Sequence, residues 1–141
     1  MQLGELLAYE LERLEQINNI NLLTCVPTHW RKKLSRGFQA SEILCDAVAK
    51  HTGIPAITKL LKADRPTQKQ GMLSDFKRYE NVKNAFSVSR FYRQIIAGKH
   101  IVIIDDVMTS GATTSQCAKV LRAAGAARVD VAVVARGAKA R

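Results

Sequence analysis

Two adjacent acids followed by a run of small hydroxyl residues are the groups in this chain best suited to chemistry. Asp105 and Asp106 follow the apolar run at residues 101–104. Carboxylates at the end of a buried strand repel each other and lose solvation, so they need a hydrogen-bond donor or a cation as a partner. The vicinal hydroxyls of a sugar are such donors, and a magnesium-bound ligand would add positive charge. The pair is therefore a candidate for ribose binding.

The next segment has the composition of a phosphate-binding loop at the start of a helix. It consists of Thr109, Ser110, Gly111, Ala112 and Thr113. Backbone N–H groups and three hydroxyls would converge there on the positive end of the helix dipole, and glycine lets the backbone approach a phosphate. An ordinary capped helix is the alternative, but it does not explain the acid pair before it. The spacing favours a ribose monophosphate.

The elements that must position these residues read as one α/β domain over residues 1–141. A nearly all β-branched run at 100–104 predicts a central strand covered on both faces. With the expected helix at 113–124 and the expected strand at 129–134, it predicts a parallel βαβ unit. The other expected helices are at 1–18 and 41–51, and the other strands at 22–26, 57–61 and 85–88.

Composition excludes several classes of protein. The chain has 141 residues, 47% of them hydrophobic, and no apolar run that approaches the length of a membrane span. Its acidic N-terminus does not resemble a secretory signal, so we expect a cytoplasmic location. Cys25, Cys45 and Cys117 form no CxxC pair, which favours buried thiols over a disulfide framework or a zinc site.

The net charge of +10 is concentrated between residues 28 and 99. This distribution indicates a polyanionic partner, either phosphate groups or nucleic acid, although a solvated basic surface would account for it equally well. Aromatic residues lie among the basic ones, a mixture that permits single-stranded nucleic acid binding by phosphate contact and base stacking. For Phe38, Phe76 and Phe86 we favour a role as core or loop anchors. The remaining aromatic residues of this set are Trp30, Tyr79, Phe91 and Tyr92.

The segment from 102 to 113 resembles the phosphoribosyl-pyrophosphate (PRPP) signature of type I phosphoribosyltransferases, which are Rossmann-like α/β proteins. The resemblance implies that Asp105 and Asp106 hold the ribose hydroxyls and act in catalysis. It implies that Thr109, Ser110, Gly111, Ala112 and Thr113 hold the 5′-phosphate. Mg²⁺ would accompany the ligand and reach the two acids indirectly, through the ligand or water.

Residues 26–30, 36–38 and 65–70 are similar to the ComF/GntX branch of that superfamily, which is associated with competence and DNA uptake or utilisation. Gln39-Ala40 and Ala63 depart from the branch pattern. The four-cysteine zinc module of many members has no counterpart, so we expect no zinc. By analogy, Thr28, His29 and Arg36 would meet the pyrophosphate, and residues 62–81, with Arg65 and Arg78, would form a mobile hood. A basic surface loop and a disordered charged loop are the alternatives.

Two functions follow from these features. The first is Mg²⁺-dependent phosphoribosyl transfer to an acceptor that the sequence does not identify. The second is a non-catalytic, ligand-responsive protein that binds single-stranded DNA, with DNA-uptake or recombination proteins as further partners. No membrane association is expected. The oligomeric state is open, as is whether the N-terminal helix packs on its own domain or on a partner.

Overall fold

Helices and strands alternate along most of the chain. A computed structural model describes residues 2–14, 17–28, 40–67, 74–108 and 110–136. Short 3₁₀ turns lie at Ile17–Asn19 and Arg93–Ile95. The helices and strands, in chain order, are α1 (Leu3–Glu12), β1 (Leu22–Cys25), α2 (Ala40–Thr52), β2 (Leu61–Ala63), α3 (Asp75–Val82), β3 (Phe86–Val88), β4 (His100–Met108), α4 (Ala112–Ala123) and β5 (Arg128–Arg136).

The central sheet is parallel and has the strand order β1-β4-β5. β4 is its middle strand, and its alternate side chains enter two different core clusters. Ile101 and Ile103 pack with α4 residues, whereas Val102 and Ile104 pack with residues of α1 and α2. All four are buried, which explains why the run is apolar on both faces. The expected α/β class, a parallel sheet flanked by helices, is confirmed.

A separate antiparallel pair, β2–β3, differs from the predicted strands. The strand expected at residues 57–61 lies at Leu61–Ala63, because pairing of Leu61 with Val88 sets its position. The segment 62–81, expected to lack regular structure, begins with the end of β2 and contains most of α3. Ser74 caps that helix, since its Oγ accepts a hydrogen bond from the Lys77 N–H at 3.3 Å.

The N-terminal helix packs on its own domain. Gly4 of α1 lies so close to Ala47 of α2 that no side chain fits between them. The helix is shorter than expected, and its predicted apolar face is only partly covered. Leu11 is buried, whereas Leu3 and Leu6 are exposed. The close contact at Gly4, which leucine periodicity could not indicate, therefore determines which face is turned inward.

Other sequence predictions concern the thiols and membrane spans. The three cysteines are free and buried, as expected. Phe86 is buried, but Phe76 is 74% exposed, so its expected role as an anchor is wrong. None of the helices in the described part of the chain is long and apolar enough to span a bilayer.

The contact between α1 and α2 predicts an unusual response to a helix-favouring substitution. Gly4→Ala would make the new Cβ collide with the Ala47 Cβ, so we expect it to lower the free energy of unfolding by about 1–3 kcal/mol despite the higher helix propensity of alanine. Urea unfolding of Gly4→Ala, Ala47→Gly and the double variant measures this. Ala47→Gly should relieve the clash, so strictly additive losses would contradict the packing.

Candidate functional site

The acid pair lies within the central strand and not after it, which corrects the sequence prediction. β4 continues beyond Ile104, where its pairing with β1 ends. It continues because β5 remains paired with it as far as Met108. Asp105 and Asp106 therefore lie at the carboxyl end of the sheet, on the step left where β1 stops. This is the edge at which open α/β sheets bind ligands.

Asp105 is a buried carboxylate with two donors on the same oxygen. Only 9% of the residue is exposed. The Ser41 hydroxyl of α2 donates to Asp105 Oδ1 at 3.2 Å, and the Asp106 backbone N–H donates to that atom at 2.9 Å. Ser41 lies 64 residues earlier in the chain and was expected only as part of a helix. No local sequence signal would have found this contact.

Burial raises the pKa of Asp105 to about 7, with contributions from a hydrogen bond to the Asp106 side chain and from its charge. The donors Asp106 N–H and Ser41 oppose this rise without cancelling it. Asp106 itself is exposed, and its Oδ1 accepts a hydrogen bond from the Val107 N–H at 2.9 Å. One acid is thus able to exchange a proton near neutral pH, while the other faces solvent.

The predicted phosphate loop leads directly into α4. Gly111 is the N-cap, with φ +80°, a left-handed conformation that only glycine adopts readily. Because Gly111 has no side chain, the cap position supplies no oxygen to the first N–H groups of the helix. The Ser110 hydroxyl accepts from the Ala112 N–H at 3.3 Å. This arrangement leaves a polar helix start at the same sheet edge as the acids.

Thr113 and Thr114 differ in their surroundings. Thr113 is half-buried, whereas Thr114 is buried and its hydroxyl donates to the Gly111 carbonyl at 3.1 Å. Thr114 thereby ties the loop to the first turn of α4. Thr109 lies outside the described residues, so its predicted phosphate role stays a prediction.

The segment that follows β1 is described only at its start. Thr28 is half-buried and lines a cavity together with Pro27 and Glu42, the latter next to Ser41 in α2. His29 and Arg36 lie outside the described residues. The structure thus brings the end of β1 close to the α2 turn that contacts Asp105.

The two arginines assigned to the predicted hood lie in different parts of the fold. Arg65 follows β2, and its Nη2 donates to the Lys83 carbonyl at 2.8 Å. Arg78 is half-buried on α3. The hydrogen bond to the Lys83 carbonyl uses one of the five guanidinium N–H groups of Arg65 and joins the end of β2 to the end of α3.

No group of three or more His, Cys, Asp or Glu side chains that could hold a metal ion occurs among the described residues. Two adjacent carboxylates nevertheless suit Mg²⁺, which keeps several waters and is commonly held by one or two carboxylates plus substrate phosphates. The residues present therefore fit an ion that arrives with a phosphorylated ligand.

The raised pKa of Asp105 predicts a specific dependence of stability on pH. Between about 4 and about 7 the folded state keeps a proton on Asp105 that the unfolded state has lost. The free energy of unfolding should therefore fall as the pH rises through this window. Asp105→Asn should remove this contribution. Urea titrations at several pH values measure it.

Asp46→Asn is the matched control, since Asp46 is an exposed aspartate on α2. It should keep the wild-type pH profile. A profile unchanged by Asp105→Asn would show that Asp105 is not the buried acid that couples folding to pH.

Most of the chain, including the site described above, matches a known protein family. Residues 35–141 match the family described as phosphoribosyl transferase domain. The segment includes both acids and the whole predicted phosphate loop.

The chain is similar to curated relatives and to a solved structure. It is 32% identical over 132 residues to the DNA utilization protein YhgH of Escherichia coli K12, covering 92% of this chain and 56% of that protein. It is 27% identical over 127 residues to Competence protein F of Haemophilus influenzae, covering 90% and 55%. The B. subtilis glutamine PRPP amidotransferase, solved with ADP and GMP, superposes with a TM-score of 0.60 and 26% identity, covering 94% of this chain and 25% of that one.

The chain spans little more than half the length of the curated relatives named here. Within that span the family match includes both acids and the predicted phosphate loop, the segment that resembles the PRPP signature. The chain therefore belongs to the phosphoribosyl transferase domain family.

Proposed function

We propose that the chain binds phosphoribosyl pyrophosphate at the carboxyl end of β4. The observation that carries this proposal is the buried Asp105, held by Ser41 beside the polar start of α4. In the proposed complex Asp105 and Asp106 accept hydrogen bonds from the ribose hydroxyls. The loop at 109–113 and the positive end of the α4 dipole hold the 5′-phosphate. The acids closely precede the loop in the chain, so one ligand can place its ribose at the acids and its 5′-phosphate at the loop.

The pyrophosphate would extend toward the segment after β1. Thr28, His29 and Arg36 are the residues proposed to contact it, and the cations Arg65 and Arg78 are proposed to approach from the β2–α3 region. Arg65 has five guanidinium N–H donors, of which the Lys83 carbonyl accepts one. Bound Mg²⁺ would neutralise phosphate charge, and Asp105 and Asp106 would contact it through water or through the ligand.

Phosphoribosyl transfer is the reaction this arrangement supports. The acceptor would attack the anomeric carbon as its bond to pyrophosphate breaks, with catalysis coming from positioning and charge stabilisation. The acceptor would lose a proton, and Asp105 is the better candidate to receive it because its pKa lies near 7. The acceptor itself is not identified by any described residue.

A second candidate function is binding of single-stranded DNA. The names of the relatives YhgH and Competence protein F refer to DNA utilisation and competence. The net charge of +10 favours a polyanion as partner. In this function the phosphoribosyl site would bind a regulatory ligand without turnover.

Replacing the acids tests the ribose contacts. Asp105→Asn and Asp106→Asn should each weaken PRPP binding roughly ten- to hundredfold, because a hydrogen bond to a charged acceptor contributes about 1.5–3 kcal/mol. Titration calorimetry with PRPP and Mg²⁺ measures the affinity, with Asp46→Asn as control. Equal binding by wild type and both variants would exclude the proposed site. Pyrophosphate release across a panel of nucleobases then separates an enzyme from a binding protein.

Replacing Gly111 tests the loop separately from the acids. Gly111→Ala forces alanine into a left-handed conformation and puts a methyl group in the loop, so both stability and PRPP affinity should fall. Gly53→Ala is the matched control, because Gly53 has φ +77° and no neighbour within 4 Å of an added Cβ. Each variant should lose about 1–2 kcal/mol of stability. Calorimetry should show lower affinity only for Gly111→Ala, and equal affinity in both variants would contradict a phosphate role for the loop.

A further inference from the structure

A cavity of about 420 Å³ opens beside the β2–β3 pair, outside the acid pair and the α4 loop. Lys59 and Lys62 line it together with two aromatic residues, Phe91 and Tyr92. Glu42 and Thr28, the latter also proposed to contact the pyrophosphate, line it as well, so the cavity adjoins the proposed phosphoribosyl site. The residues that line it thus combine cations with aromatic rings.

Phe91 stands out on the rim of this cavity because it is 93% exposed. Its turn is nevertheless held in place. The Ser89 N–H donates to the Leu60 carbonyl at 2.8 Å, and the Tyr92 N–H donates to the Ser89 carbonyl at 3.1 Å. Tyr92 packs on the core. A fixed backbone therefore presents an aromatic ring to solvent, at a place where the ring contributes little to the core.

Exposed cationic residues accompany Phe91, both in the cavity lining and in its own turn of the chain. Lys59 and Lys62 are exposed and line the cavity, and the exposed Arg90 and Arg93 lie next to Phe91 and two residues after it in the chain. No ion pair of these four side chains with another described residue is present, although other basic residues of the chain form such pairs. Among the described residues that line the cavity, Glu42 is the one acid.

We propose that this cavity and its rim bind single-stranded nucleic acid, with an unpaired base stacked on Phe91. Every base has a π-face, so stacking on an exposed ring is tolerant of sequence. In this proposal Lys59 and Lys62 contact a phosphate at the cavity, and Arg90 and Arg93 contact neighbouring phosphates of the strand. Two cations in the cavity and two more beside Phe91 in the chain exceed what a single phosphate requires, which favours a strand over a free mononucleotide.

The cavity at Phe91 assigns specific residues to the second candidate function, binding of single-stranded DNA, and this inference rests on that function. The cavity lies beside the first site, because Glu42 of the cavity wall follows Ser41, the residue that donates to Asp105. A bound strand would therefore pass next to the phosphoribosyl ligand without sharing its acids.

Fluorescence anisotropy with a labelled oligothymidine at low salt tests the proposal. Phe91→Ala should weaken binding roughly five- to hundredfold, as expected for the loss of one stacked base. Phe91→Trp should retain binding, since indole also stacks. Phe76→Ala is the matched control, because Phe76 is 74% exposed on α3 and does not line the cavity. It should bind like wild type. Lys62→Gln should weaken binding and reduce its dependence on salt.

Three results would overturn the proposal. They are wild-type affinity in Phe91→Ala, an equal loss in Phe76→Ala, and equal competition by thymidine monophosphate or duplex DNA. The phosphoribosyl site and the nucleic-acid site can be tested independently of each other. Phe91→Ala should leave PRPP affinity unchanged, and Asp106→Asn should leave oligothymidine affinity unchanged, so calorimetry and anisotropy on the same variants identify which proposal is wrong.

Discussion

The burial of Asp105 at the end of the central strand is the constraint on which the site depends. A carboxyl group in that position loses solvation, and the Ser41 hydroxyl with the Asp106 N–H only partly compensates. The surrounding elements maintain this position, since β4 is covered on both faces and α2 supplies Ser41. A strand end that served stability alone would gain from an apolar residue here, so the buried acid indicates a function.

The rest of the site follows from where β4 and β1 end. β1 stops at Cys25, opposite Ile104, while β5 accompanies β4 to Met108. That step exposes Asp106 while Asp105 stays buried, and the chain then turns at Gly111 into α4. The positive end of a helix thus lies at the same edge as two carboxylates. Membership of the phosphoribosyl transferase domain family agrees with this arrangement, and the cavity at Phe91 adds a second, cationic surface beside it.

Sequence periodicity predicted the parts of the fold that local patterns determine. The β-branched run of β4, the flanking α4 and β5, and the class of the fold were confirmed because each depends on residues close in sequence. The predicted position of β2 was wrong because its pairing with β3, more than twenty residues later in the chain, determines where the strand lies. The hydrogen bond from Ser41 to Asp105 and the close contact at Gly4 likewise depend on tertiary packing, so local sequence patterns could not predict them. The acids and the loop were predicted as a site from residue type and spacing, whereas the hydrogen bond to Ser41 and the raised pKa of Asp105 required the structure.

A structure of the protein with ribose 5-phosphate tests the central claim most directly. The ribose hydroxyls are predicted to lie within hydrogen-bonding distance of Asp105 and Asp106, with the phosphate against the backbone N–H groups of residues 110–113. A phosphate bound elsewhere, with the acid pair in contact only with solvent, would contradict the assignment of this strand end as a phosphoribosyl site.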